Sequence, residues 1–157
     1  MAWLQASALG HVMRDSGPWT YAIVNLGHVL GIATLFGSIL VLDLRLIGVG
    51  RRLPLAALSS ATVPVATAGF CLAAITGAGL LATKATEYAG NPFLLIKFPA
   101  IALGLVNVAV FKRTTAWREH THRDLTSNET RQLAIMGGLS LVCWLTAIAA
   151  GRMIAYW

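Results

Sequence analysis

A chain of 157 residues that is 57% hydrophobic and 11% charged, with a mean hydropathy of +0.70, has the length of one domain. It is too apolar for an ordinary soluble one, in which about a quarter of the residues are charged. Its net charge of +6 sits on Lys and Arg beside apolar runs, with no basic stripe interleaved with aromatics, so the expected partner is a lipid bilayer and not nucleic acid.

The first 19 residues, MAWLQASALGHVMRDSGPW, lack a basic leader and a long apolar stretch, so no cleavable signal peptide is expected. Trp3, Leu4, Ala8, Leu9, Val12 and Met13 recur at helical spacing, which predicts a short amphipathic helix lying on the membrane surface. Four apolar runs follow, at 21–42, 62–83, 93–111 and 133–151. Each is near the roughly 20 residues that one crossing needs. The predicted fold is therefore all-α: an integral membrane four-helix bundle with an N-terminal interfacial helix, forming a single transmembrane domain over residues 1–157.

Pro64 falls in the first turn of the second run, and Pro99 within the third predicts a kink or local opening. Gly90-Asn91-Pro92 marks a turn between these two runs. Residues 112–132 form a charged loop, with Ser127-Asn128-Glu129 ahead of the fourth span as its cap. Arg45, Arg51 and Arg52 after the first span, with Lys112, Arg113, Arg118, Arg123 and Arg131 after the third, hold eight of the twelve basic residues. The positive-inside rule then makes both loops cytoplasmic and both termini external. Trp3, Trp19, Trp117 and Trp157 fall near the two interfaces, and Trp144 alone is deep.

His28 lies inside 22 residues without a formal charge. Hydrocarbon offers an imidazole nothing, so the ring must find a partner, line a wet cavity or act as a ligand. Tyr21, Asn25 and His28 recur at i, i+4 and i+7 and form a polar stripe expected to point into the bundle, with Asn25 orienting the ring. Lys97 and Arg152 belong to the same outer half, where they either snorkel to headgroups or meet an anionic group. Asp43 and Arg45, at the far end of the first span, read as structural anchors. Gly27 and Gly31 form GxxxG, permitting close helix approach within the fold or across a dimer.

An intramembrane His, small residues, aromatics and cations together suit a b-type haem, with His28 on the iron, Lys97 or Arg152 at the propionates, and Asn25 and Trp144 nearby. No second His lies within a span, because His120 and His122 fall in the charged loop, where a solvated surface pair is expected. No Ser-His-Asp, paired-carboxylate, P-loop or dinucleotide pattern is present, so any enzymatic role is at most that of a redox subunit. A second expectation is a non-catalytic accessory subunit that packs through Gly27, Gly31 and apolar faces in a homo-oligomer or larger complex. A third is copper handling or small-solute permeation, with His28, Cys71 and Cys143 as a soft-ligand set, although Cys is also a small apolar packing residue.

Several segments carry a resemblance. They are the His of span one, DLRLIG at its end, GF and TG in span two, NPFLLIKFPAIALGLVN in span three and GRMIAY at the C-terminus. From Trp19 to Tyr156 the chain resembles a family of small uncharacterised bacterial inner-membrane proteins. More distantly, His28, Lys97 and Asn107 resemble positions in the membrane core of the copper resistance D family, whose longer multi-span chain is absent here. The resemblance implies a bacterial inner-membrane location, with both termini periplasmic under the orientation above.

Overall fold

The computed structural model describes residues 1–157, Pro18 by its backbone alone. The helices are α1 (Ala2–Gln5), α2 (Ala8–Asp15), α3 (Pro18–Ile47), α4 (Leu55–Thr83), α5 (Pro92–Arg113), α6 (Thr115–Glu119) and α7 (Ser127–Met153), followed by a 3₁₀ turn at Ile154–Tyr156. No strand occurs among the described residues. Helices α3, α4, α5 and α7 are each long and apolar enough to cross a membrane. The protein is a multi-pass, all-α membrane bundle.

The helices overrun the apolar runs because local signals, not hydropathy, set their ends. Gly17, at φ 82°, turns the chain into Pro18, whose fixed φ suits a first helical position. Gly48, at φ 119°, closes α3 with its N–H on the Leu44 and Arg45 carbonyls. The 30 residues of α3 span about 45 Å against about 30 Å of hydrocarbon. Because α4 begins at Leu55, Pro64 lies in its interior and not in a first turn, and α5 continues through Pro99 without a break. The cap of α7 is Thr126, not the Ser127–Glu129 segment alone. Its side chain accepts from Glu129 N–H while the Glu129 carboxylate accepts from Thr126 N–H, a reciprocal capping box.

Glycines fix the packing. A Cβ on Gly69 would fall 2.5 Å from the Leu35 nitrogen, and one on Gly31 would fall 2.7 Å from the Ala73 nitrogen, so α3 and α4 touch backbone to backbone. The GxxxG pair Gly27 and Gly31 packs within the fold, against Thr76 and Ala73 of α4. Helix α7 is the central post, with Leu133, Gly137, Ser140, Cys143, Trp144, Ala147 and Ala150 buried. Gly137 seats Asp43 and Leu46 of α3, and Gly104 of α5 seats Cys143 and Trp144. The packing order is α4, α3, α7, α5.

Two ends of the bundle are closed differently. At the basic-loop end, Leu46, Ala116 and Leu133 form a core with Leu42, Leu55, Phe111, Trp117 and Leu125 around it. At the termini end, α2 lies against the end of α4, with Met13 buried beside Gly79 and the Gln5 side chain accepting from both Thr86 N–H and Oγ1–H. Trp3, Leu9 and Val12 stay exposed on the outward face of this segment. Ile23, Ile75, Leu95, Ile135 and Val142 are among the large apolar side chains that face outward along the four long helices, the surface that lipid covers.

Candidate functional site

Helix periodicity explains why His28 is conspicuous. Asn25 and Asp43 are about five full turns apart at 3.6 residues per turn, and so are His28 and Leu46; each pair therefore shares one side of α3. At the basic-loop end α7 covers that side, leaving Asp43 and Leu46 5% exposed. Toward the termini the same side is uncovered: Asn25 is exposed and His28 half-buried. The polar stripe thus lies on the bundle side of α3 as its spacing implies, but α7 does not close over it.

The His28 ring is held by α4. Its Nδ1 lies 2.9 Å from the Ala73 carbonyl oxygen and 3.2 Å from Thr76 Oγ1. A carbonyl only accepts, so Nδ1 carries the proton, and in the neutral ring Nε2 holds the lone pair. Among the described residues Nε2 has no hydrogen bond. Gly77 makes room for the imidazole: a Cβ there would fall 2.8 Å from Cε1. The ring is oriented by Ala73 and Thr76, not by Asn25, which corrects the expectation for Asn25. Thr76 itself donates to the Leu72 carbonyl at 2.6 Å.

Of the expected partners, Lys97 is the one brought near. It is half-buried, its ammonium lies beside Gly151 of α7, and it is within electrostatic reach of His28. Arg152 is exposed, donates to the Tyr156 hydroxyl at 2.5 Å and stacks over that ring, so its cation is engaged at the surface. Trp144 is buried and lines a cavity in the basic-loop half, away from His28. Cys71 is exposed and Cys143 is buried against Gly104. No group of three His, Cys, Asp or Glu side chains converges among the described residues, so the soft-ligand set of His28, Cys71 and Cys143 does not assemble.

The loop histidines part company. His120 Nδ1–H donates to the Trp117 carbonyl. Its ring stacks on Trp117 at 4.2 Å between centroids, and Nε2 accepts from Ser59 Oγ–H at 2.8 Å. It staples the α5–α7 connection to α4 and is not a solvated surface residue; His122 alone is exposed. Arg123 is held by Glu119 and Glu129 in the same connection.

A second concave region lies in the basic-loop half. A half-open cavity of about 250 Å³ is walled by all four long helices, with Asp43, Asn107, Ser140 and Trp144 among its polar lining and Phe70 and Phe111 among its aromatic lining. Asn107 Nδ2 donates to the Met136 carbonyl at 3.0 Å, and Ser140 lies beside the Asp43 carboxyl group. Asp43 Oδ2 and Trp144 Nε1 are buried without a hydrogen-bond partner. Arg45 anchors its helix end by donating to the Leu53 carbonyl at 2.7 Å, whereas Asp43 is buried against α7 and not set at the headgroups. The sequence signal for it was its register, five turns below Asn25 on the bundle side.

The bundle thus carries one oriented intramembrane imidazole and one largely apolar cavity lined by a buried carboxyl group with one unpartnered oxygen. The whole chain, residues 1–157, matches a family of unknown function, DUF6644. The protein belongs to that family. Neither the curated proteins nor the solved structures provide a match.

Proposed function

We propose that the protein is a membrane-embedded cofactor-binding protein in which His28 is an axial ligand of a b-type haem. The observation that carries this reading is the ring's state. Nδ1–H is fixed on the Ala73 carbonyl, so Nε2 keeps its lone pair and has no hydrogen-bond partner among the described residues. The residues fit the group at one coordination position: Gly77 provides the space for the imidazole, and Lys97 supplies a cation for a propionate. A haem bound there would supply one-electron chemistry. The chain's own part is to fix the ring's tautomer and angle and to hold the cation.

The orientation belongs to the same proposal. With eight of the twelve basic residues at one end, that end faces the cytoplasm of a bacterial cell, and the His28 end faces the periplasm across the inner membrane. The test is a visible spectrum of protein purified after expression with added haem. A Soret band that is lost or shifted in His28→Ala supports the proposal; its absence, or a band unchanged in that variant, overturns it.

A second reading rests on Asn25. Its amide is exposed at a depth of about seven residues into α3, roughly 10 Å below the helix start, where hydrocarbon would leave it without partners. A helix from a second copy or a larger complex, seated along that side of α3, would satisfy it. A cofactor-free protein that co-purifies stoichiometrically with a partner, and loses it in Asn25→Leu, favours this reading over haem.

A further inference from the structure

The cavity in the basic-loop half does not include His28, and two of its lining residues, Asp43 and Trp144, each carry a buried polar atom, one an acceptor and one a donor. Asp43 and Trp144 are each 5% exposed, and Asp43 Oδ2, an acceptor when the group is ionised, and Trp144 Nε1, a donor, have no partner among the described residues. Leaving such groups unpaired is costly, which makes them the points where a ligand would be recognised. The rest of the lining is largely apolar, including Leu35, Leu42, Phe70, Leu105 and Phe111. The volume of about 250 Å³ lies just below the roughly 300–1,000 Å³ of drug-sized pockets and suits a single substituted ring.

The way in is lateral. Helices α4 and α5 stand at opposite ends of the packing order and face each other across the cavity. Thr67 of α4 and Leu105 of α5 both line it and are both exposed. A ligand therefore enters from the bilayer, and an alkyl chain on it can trail back into lipid. Lys112 stands at the basic-loop rim of the cavity and is exposed, which disfavours a cationic ligand.

We propose that this cavity binds a lipid-soluble hydroquinone-type ring, with a hydroxyl donating to Asp43 Oδ2, an oxygen accepting from Trp144 Nε1–H, and the ring among Phe70, Trp144 and Phe111. Donor and acceptor on one apolar ring match the two orphaned atoms; a purely cationic ligand leaves the indole N–H unpaired. The site uses neither His28 nor Lys97, so it stands whether or not haem binds there.

The experiment is saturable quenching of tryptophan fluorescence by a decyl-substituted benzoquinol. It uses the full-length protein in phosphatidylcholine nanodiscs, with empty nanodiscs as the blank. One-to-one binding is expected, weakened about tenfold for the dimethyl ether of the same quinol, which cannot donate to Asp43. Binding should fall similarly in Trp144→Phe and Asp43→Leu, and be lost in Ala66→Phe, which fills the wall from α4. The ether comparison uses the unaltered protein and decides the matter where a variant fails to fold. Equal affinity for quinol and ether, binding unaffected by Ala66→Phe, Asp43-dependent binding of tetraphenylphosphonium in place of the quinol, or no binding of either would each overturn the proposal; the last leaves a cavity that holds water only.

Discussion

Asn25 with His28, and Asp43 with Leu46, occupy equivalent positions on α3 about five turns apart, yet their surroundings differ in kind. At the basic-loop end the small residue Gly137 lets α7 come close, and Asp43 and Leu46 are sealed against it. Near the termini α7 presents no such seat to Asn25, and His28 is held from the α4 side alone. The conspicuous residue, a histidine amid apolar neighbours, has one nitrogen satisfied and one without a partner among the described residues. The inconspicuous one, an aspartate at a helix end, is the more deeply buried and the worse satisfied. Closeness of a neighbouring helix, set by glycine, decides which polar group stays partly exposed and which becomes a buried acceptor.

The largest expected effect comes from removing what both ends share. Gly69→Ala places a methyl 2.5 Å from the Leu35 backbone nitrogen, so α3 and α4 must separate; a loss of about 3 kcal/mol is expected from such overpacking. Thermal unfolding in detergent should show a lower midpoint, and a midpoint equal to that of the unaltered protein would refute the backbone contact.

Replacing the carboxyl group that carries the unpartnered Oδ2 should act in the opposite direction. Asp43→Leu removes a buried polar atom with no partner and should stabilise the ligand-free protein by about 1–3 kcal/mol. His28→Leu, which deletes a made hydrogen bond, should destabilise it by about 1 kcal/mol. Equal signs for the two variants in the same unfolding assay would erase the contrast between the two ends.

Smaller effects sharpen it. Ser59→Ala removes the hydroxyl that donates to His120 Nε2 and should cost about 1 kcal/mol; hydrogen exchange should rise in residues 114–126 and stay unchanged near His28. Thr76→Val leaves the Ala73 carbonyl as the sole Nδ1 partner and should cost about 0.5 kcal/mol, without altering fold or yield. Circular dichroism and the exchange rates of α4 report this, and a broad loss of α4 protection would show that Thr76 holds more than the ring.

The architecture was legible because a membrane span is written in length and apolarity: the four runs lie inside the four long helices. Their ends were less so, since Gly17-Pro18 and Gly48 set the limits of α3 beyond where hydropathy fades. Gly27, Gly31 and Gly69 were visible as small residues, but pairing requires the relative rotation of α3 and α4, which single-helix periodicity does not contain. His28 and Lys97 could be placed at one end by depth alone. Asn25 failed as the orienting group because its neighbour on the bundle side is absent, not because its phase was wrong. Asp43 was hidden by its position near a span boundary, where charged residues ordinarily meet headgroups; only its register with Asn25 and the seat at Gly137 reveal it as buried.

The central claim is that the two ends of α3 hold two separate sites, one built on His28 and one on Asp43. One crossed measurement on a single set of nanodisc samples tests it: the Soret absorbance and the saturable benzoquinol quenching recorded for the unaltered protein, His28→Ala and Asp43→Leu. Loss of the Soret band with quenching retained in His28→Ala, and the converse in Asp43→Leu, is the predicted result. Loss of both signals together in either folded variant, or of neither in both, would contradict it.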